Sequence, residues 1–310
     1  MNKKQNFLMI FLVAFLVACE SDPSDDLQDA LSGNTVDDAL AINDESQAVG
    51  TAAVFSNYDP GNSIVPSSID ILFSGSEDGT LNIPIIENDP QESVKTALNA
   101  LDGFSTVTPI STGFTDSLDP ATITADAVRM FEVTLTAAGG AVLAINGELE
   151  FGVDFLATLS SVDTGNSTLV VVPLKPLKPK TSYYIVITNS LKDMAGNSVG
   201  ASPTYTLLKD RFATYADDNG ASLLPNVPDE SAATLELLRQ LVSVSETVAD
   251  VAFEDLAAIN IVMSWSFTTQ SIGDVLTQVR VDIRAGDVPA SALVDSTTDS
   301  PFTAADIYVG

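Results

Sequence analysis

Val128-Arg129-Met130-Phe131-Glu132-Val133-Thr134-Leu135, then Gly139-Gly140, then Ala141-Val142-Leu143-Ala144-Ile145, is an apolar run, a glycine pair and a second apolar run. This order predicts two paired strands, because glycine supplies the positive φ angles that tight hairpins require. Asn146-Gly147 offers another turn of the same kind, and Asp163 to Asn166 marks a third.

Working outward, short apolar runs recur between turn residues: Ile69 to Phe73, Leu81 to Ile85, Thr106 to Phe114, Thr168 to Val172, Tyr183 to Thr188 and Ile261 to Thr268. The spacing predicts a mainly β chain, an Ig-like β-sandwich. Ile261, Met263, Trp265 and Phe267 alternate along one face, which places Trp265 in the core beside the strand Tyr183 to Thr188.

Two helical stretches interrupt this pattern. Asp89-Pro90-Gln91-Glu92 sets a capping aspartate, a proline at the first helical position and a glutamate three residues on, so a helix is expected to Leu101, stopping at Gly103. From Asp229 to about Ala258, Leu235, Leu238, Leu241 and Val242 share a face, and Val248, Val251, Ala252 and Ile259 continue a similar stripe. These predict a helical hairpin inserted at about residues 229–258 and packed on the sandwich. Such a stripe is core, with a ligand groove as the alternative.

The N-terminus reads differently. Lys3 and Lys4 precede an uncharged apolar run, Phe7 to Ala18, which has the layout of a secretory leader and is too short to span a bilayer. Leu16-Val17-Ala18 leads directly to Cys19, the only cysteine. Small residues before a cysteine resemble the lipobox of bacterial lipoproteins, so residues 1–18 are expected to be a lipoprotein signal peptide and Cys19 the lipidation site, acylated with palmitate-type chains. A buried cysteine after an ordinary leader is the alternative. Each buried methylene contributes about 0.8 kcal/mol, so two or three chains hold firmly where one does not.

From Glu20 to Gly50 the chain carries nine acids, no base and no aromatic residue. Residues 19–50 are therefore expected to be an acidic disordered tether, spanning on the order of 30 Å as a flexible coil. The expected organisation is the leader, this tether, an Ig-like domain over residues 51–270, and residues 271–310 as the start of a linker toward a further domain.

The whole chain has 13 basic and 42 acidic residues, a net charge of −29, and losing Lys3 and Lys4 with the leader makes it two units more negative. Nucleic acid is excluded as a partner by this balance. A chain that is 45% hydrophobic is nonetheless built to fold, and without a disulfide pair it must do so by ordinary packing. It contains no histidine. That absence removes Ser-His-Asp, Cys-His and histidine-metal chemistry together, so no catalytic residue, metal ligand or cofactor site is expected.

Three motifs need weighing against this. Gly196-Asn197-Ser198-Val199-Gly200 matches G-x-S-x-G, yet Asp193 to Asn197 reads as a turn between extended segments, not the strand-to-helix elbow of a hydrolase. A Ser198-Lys192 dyad is the residual catalytic reading. Asp217-Asp218-Asn219-Gly220 resembles part of an EF-hand, but with Gly220 at loop position six the first and twelfth positions are Tyr215 and Asn226, so a solvated turn is expected instead. Pro173-Leu174-Lys175-Pro176-Leu177-Lys178-Pro179-Lys180 suits an edge or connection between two strands, with lysines that discourage stray pairing.

Several of these stretches together resemble a known family. Ile71-Leu72-Phe73-Ser74-Gly75, Asp78 to Pro84, Asn99 to Thr106, Pro109-Ile110, Asp119-Pro120-Ala121, Val128 to Val133, Pro173 to Tyr183, the Asp193 to Asn197 turn and Trp265 to Ser271 are similar in order to the N-terminal domain of bacterial virulence-factor lipases, the VolA-type surface lipoprotein phospholipases. The resemblance implies that an α/β-hydrolase domain, absent from this chain, follows in such proteins and carries the serine, acid and histidine. It also implies that this region is a non-catalytic front part that positions a hydrolase at the bacterial outer membrane or cell surface, with the membrane as partner through Cys19 and lipid substrate presented to the hydrolase. A self-sufficient surface binding or adhesion module is the competing reading.

Overall fold

The computed structural model describes residues 54–253, 256–257, 260–285, 294–295 and 308–309. The leader, Cys19, the acidic stretch 19–50 and Ile259 lie outside the described residues. The chain divides into two compact units, Met1–Gln270 and Ser271–Gly310.

In the first unit, β1 (Ile110–Gly113), β5 (Thr168–Pro173) and β4 (Phe155–Leu159) form an antiparallel sheet in the order β1-β5-β4. A second antiparallel sheet runs β3-β2-β6-β7, from β2 (Val128–Leu135), β3 (Val142–Glu148), β6 (Ser182–Thr188) and β7 (Ile261–Thr268). The protein is thus mainly β, with helices α1 (Glu92–Leu98), α2 (Pro203–Lys209) and α3 (Asp229–Ala252) in this unit. The second unit holds α4 (Asp274–Ala285) and a two-residue ladder pairing Val294-Asp295 with Tyr308-Val309.

One apolar core takes Ile110, Phe155, Leu169 and Val171 from the smaller sheet and Met130, Ile185, Trp265 and Phe267 from the larger. The Thr112 hydroxyl reaches Met263 Sδ across it. The opposite face of the larger sheet carries Phe131, Val133, Tyr184 and Val186, covered by Ala249 of α3 and by Leu256. Being covered on both faces explains why β7 is buried along nearly its whole length. Alternation predicts one inward face for it, and the helical layer supplies a second. Trp265 lies in the core opposite Ile185, as its place in the pattern predicts.

The β2–β3 hairpin turns at Gly139, whose φ of 68° is the left-handed conformation glycine allows. Asn146-Gly147 does not turn. It lies inside β3 at a register shift, where Gly147 faces Glu132 and Ile145 faces Val133, so Asn146 is the extra residue of a bulge. At the end of this ladder Arg129 holds Glu148 through Nε and an Nη atom at 2.7 and 2.9 Å, and its guanidinium lies over the Phe131 and Phe253 rings.

Other expectations are corrected. Ile69 to Phe73 is no strand: Asp70–Phe73 forms a 3-10 helix that tucks Asp70 and Phe73 inward. Leu81 to Ile85 forms no ladder, and Asn99 instead bonds the backbone of Ile83 through both ends of its amide. Only Ile110–Gly113 of the Thr106 to Phe114 run pairs as a strand. The first helix is shorter than expected, although Asp89 still accepts the Gln91 N–H. The helical hairpin is a single helix. With no glycine or proline between Asp229 and Ala252 nothing breaks it, and Asp229 and Glu230 favour its first turn. Its inward stripe is Leu235, Val242 and Ala249, while Val251, expected in the core, is 84% exposed. β4 and α2 have no counterpart in the sequence reading.

Candidate functional site

The acidic turns share one device. Asp163 accepts the N–H groups of Gly165 and Ser167, Asp193 those of Ala195 and Asn197, and Asp217 those of Asn219 and Ala221, at 2.8 to 2.9 Å. Each carboxylate thus closes its own loop by capping the second and fourth residues after it. The Asn197 side-chain amide together with these N–H groups holds Asp193 below the usual carboxylate range, the Ala221 and Asn219 N–H groups hold Asp217 there, and the Thr168 hydroxyl together with its turn's N–H groups pulls Asp163 down to about 2. Among the described residues no group of three or more Asp, Glu, His or Cys is arranged to hold a metal ion.

Ser198 lies on the exposed side of the Asp193 turn. Its backbone pairs with Lys192, and Val199 N–H bonds Leu191 O at 3.0 Å, so the segment is a small hairpin and not a strand-to-helix elbow. The Pro173 to Lys180 segment connects β5 to β6. Its lysines are engaged: Lys175 with Asp154 at 2.8 Å, Lys178 with Glu132 at 2.6 Å, and Lys180 with Asp102.

An open cleft of ≈ 580 Å³ lies at one end of the larger sheet. Phe73, Val133 and Leu135 give it an apolar wall, and Thr134, Asn146, Ser182, Thr268 and the Lys180–Asp102 pair give it polar groups. Ser182 and Thr268 hydroxyls bond each other at 2.8 Å, and Thr268 donates to Asp70 Oδ2 at 2.8 Å. Asp70 is 1% exposed, its Oδ1 has no partner among the described residues, and burial pushes its carboxyl up to about 6. The cleft is open and does not pair a nucleophile with a base.

A second polar cluster lies between the larger sheet and α3. The Tyr205 hydroxyl of α2 donates to Glu246 Oε1 at 2.6 Å and meets Ser264 Oγ at 2.7 Å, and Tyr184 donates to the same Ser264 Oγ at 2.7 Å. Lys209 bonds the carbonyl of Ile261, and Arg211 pairs with Asp250 at 2.7 Å. Burial raises Glu246 to about 7 and lowers Lys209. Serine, tyrosine, lysine and glutamate in one cluster invite a catalytic reading, but Tyr205 and Glu246 are fully buried and no substrate reaches them. The sequence signal was there: Glu236, Arg239 and Glu246 fall on the inward side of a helix whose neighbours are apolar.

The family model described as "Bacterial virulence factor lipase N-terminal" matches residues 25–298. No curated protein matches the chain. Among solved structures, the bacterial S-layer protein SbsC is similar over 35% of this chain and 14% of its own, at 19% identity and a TM-score of 0.21. The N-terminal part of the same S-layer protein is similar over 35% of this chain and 24% of its own, at 20% identity and a TM-score of 0.20. The chain therefore spans less than a quarter of either solved chain. Among the described residues no helix is long and apolar enough to cross a membrane.

Proposed function

Because the chain belongs to the bacterial virulence factor lipase N-terminal family, we propose that it is the non-catalytic front part of an exported, surface-anchored lipase, positioning a downstream hydrolase domain toward lipid. The family match over residues 25–298 carries this reading. Its two sheets are read as an Ig-like sandwich, a rigid spacer that needs no chemistry of its own. Lys3, Lys4, the apolar run to Ala18 and Cys19 support export and lipid anchoring, and the acids of residues 19–50 support a solvated tether between lipid and the folded unit. The engaged aspartates of the turns and the hairpin setting of Ser198 favour a scaffold over an enzyme.

The test is the DNA beyond the codon for Gly310. The expected frame encodes a strand, a G-x-S-x-G elbow, a helix, and then an acid and a histidine in that order. A stop codon with no such sequence downstream overturns the lipase reading in favour of a self-sufficient surface binding or adhesion module.

A further inference from the structure

The second unit carries a helix whose charged and apolar residues are sorted by side. In α4, at 3.6 residues per turn, positions 275, 276, 279 and 283 share one face, and all four residues are aliphatic. Val279 is 46% and Ile283 56% exposed, so this part of the face is uncovered among the described residues. Arg280 and Arg284 run along one flank of it, one turn apart and both exposed. Asp282, on the other flank, accepts from the Gln278 amide at 2.7 Å.

The two arginines differ from the other bases. In the first unit every described lysine and arginine except Lys192 is held by a carboxylate or a carbonyl. The side chains of Arg280 and Arg284 have neither an ion pair nor a hydrogen bond among the described residues. Like charges one turn apart disfavour a helix, and an anion held between them removes that cost.

We propose that this face of α4 lies in the surface of a phospholipid layer, with Val279 and Ile283 among the acyl chains and Arg280 and Arg284 on headgroup phosphates. At about 18 Å the helix is too short to span a bilayer and lies along it. A phospholipid layer sets phosphate directly beside hydrocarbon, as α4 sets its arginines beside its aliphatic face, and a guanidinium matches phosphate with two parallel donors. Zwitterionic headgroups carry the phosphate too, so the contact requires no net anionic membrane, and acids of the chain beyond about 8 Å are screened at physiological salt. A protein partner is disfavoured by size: a stable interface takes roughly 800 Å² from each side, more than one short helix face offers. The contact is weak alone and acts on a chain already held near lipid, so its use rests on the surface-anchored reading above.

The test uses the full chain with Cys19→Ser, which leaves no cysteine, and adds a single one by Val279→Cys, Ile283→Cys, Val281→Cys or Val162→Cys to carry an environment-sensitive fluorophore. Val281 is 50% exposed on the opposite side of α4, and Val162 is 89% exposed in the first unit. The probe is a vesicle of phosphatidylcholine with a minority of phosphatidylglycerol. Labels at positions 279 and 283 are expected to brighten severalfold and to be quenched by nitroxides on the acyl chains, while those at 281 and 162 stay as in water. Arg280→Gln with Arg284→Gln is expected to raise the lipid concentration for half the rise by about thirtyfold. Both arginines are exposed, so unchanged helix content and protease resistance show that folding is intact. No brightening at 279 or 283 overturns the proposal, as does a rise indifferent to the arginine substitutions. So does equal quenching at 162, which means adsorption of the whole chain, or a label at 279 already shielded before lipid is added, which means that another part of the protein covers the face. Neither an anchor at Cys19 nor a following hydrolase enters the measurement, so it stands or fails apart from them.

Discussion

The Tyr205 hydroxyl donates to Glu246 Oε1 across 2.6 Å, in a layer where both residues are 0% exposed and Glu246 Oε2 has no partner among the described residues. A carboxyl so placed is most stable protonated. Burial moves Glu246 from 4.5 to about 7 and Asp70 from 3.8 to about 6. A raised folded-state value contributes stability that is complete below the unfolded value and is lost as pH rises through the folded one.

Stability should therefore fall between about pH 5 and about pH 7.5, with Glu246 contributing on the order of 3 kcal/mol to the slope. The turn aspartates act oppositely. Being depressed, Asp163, Asp193 and Asp217 lose their contribution only on acidification below about pH 4. Denaturant titrations at a series of pH values are expected to place the optimum near pH 5, with a flatter profile in Glu246→Gln. An unchanged slope in that variant removes Glu246 from the account.

Trp265 is 3% exposed and faces Ile185 in the ladder. Trp265→Ala should cost about 3 to 5 kcal/mol as a large-to-small core change. Its Nε1 finds no acceptor among the described residues, so Trp265→Phe should cost clearly less. Equal midpoints for wild type and Trp265→Ala in urea would place the indole outside the core.

Gly103 passes directly against the end of β7. A Cβ there would lie 2.5 Å from the backbone N of Gln270 and 2.5 Å from the carbonyl carbon of Thr269. Backbone cannot swing aside as a side chain can, so Gly103→Ala should cost at least about 2 kcal/mol. Gly147→Ala, with nothing within 4 Å of the added carbon, is the control, and thermal melts of the two separate the effects.

Ser198 lies exposed in a hairpin, not on the strand-to-helix elbow of a hydrolase. Purified protein should hydrolyse p-nitrophenyl esters no faster than buffer, with Ser198→Ala indistinguishable. Activity lost in Ser198→Ala would revive a Ser198-Lys192 dyad.

Radiolabelled palmitate should label the wild-type chain in a bacterium with lipoprotein processing and leave Cys19→Ser unlabelled. Equal labelling of both would refute the anchor.

Local chemistry made much of this protein legible from its residues. Val128–Leu135 and Ile261–Thr268 are strands at the bounds their apolar runs mark, because a run of β-formers between turn residues has few other choices. The aspartate turns were legible too, since a carboxylate that caps its own loop acts within five residues. What lay beyond the sequence depended on contacts distant along the chain. Ile69 to Phe73 coils, although apolar, because Asp70 meets Thr268, nearly two hundred residues away. Asn146-Gly147 bulges instead of turning because β2 continues to pair beside it. Leu235 and Val251 look alike as letters in one helical stripe, and only docking against the sheet decides that the first is buried and the second exposed. The same docking turns Glu246 inward, where desolvation alters its acidity, a property no window of sequence contains.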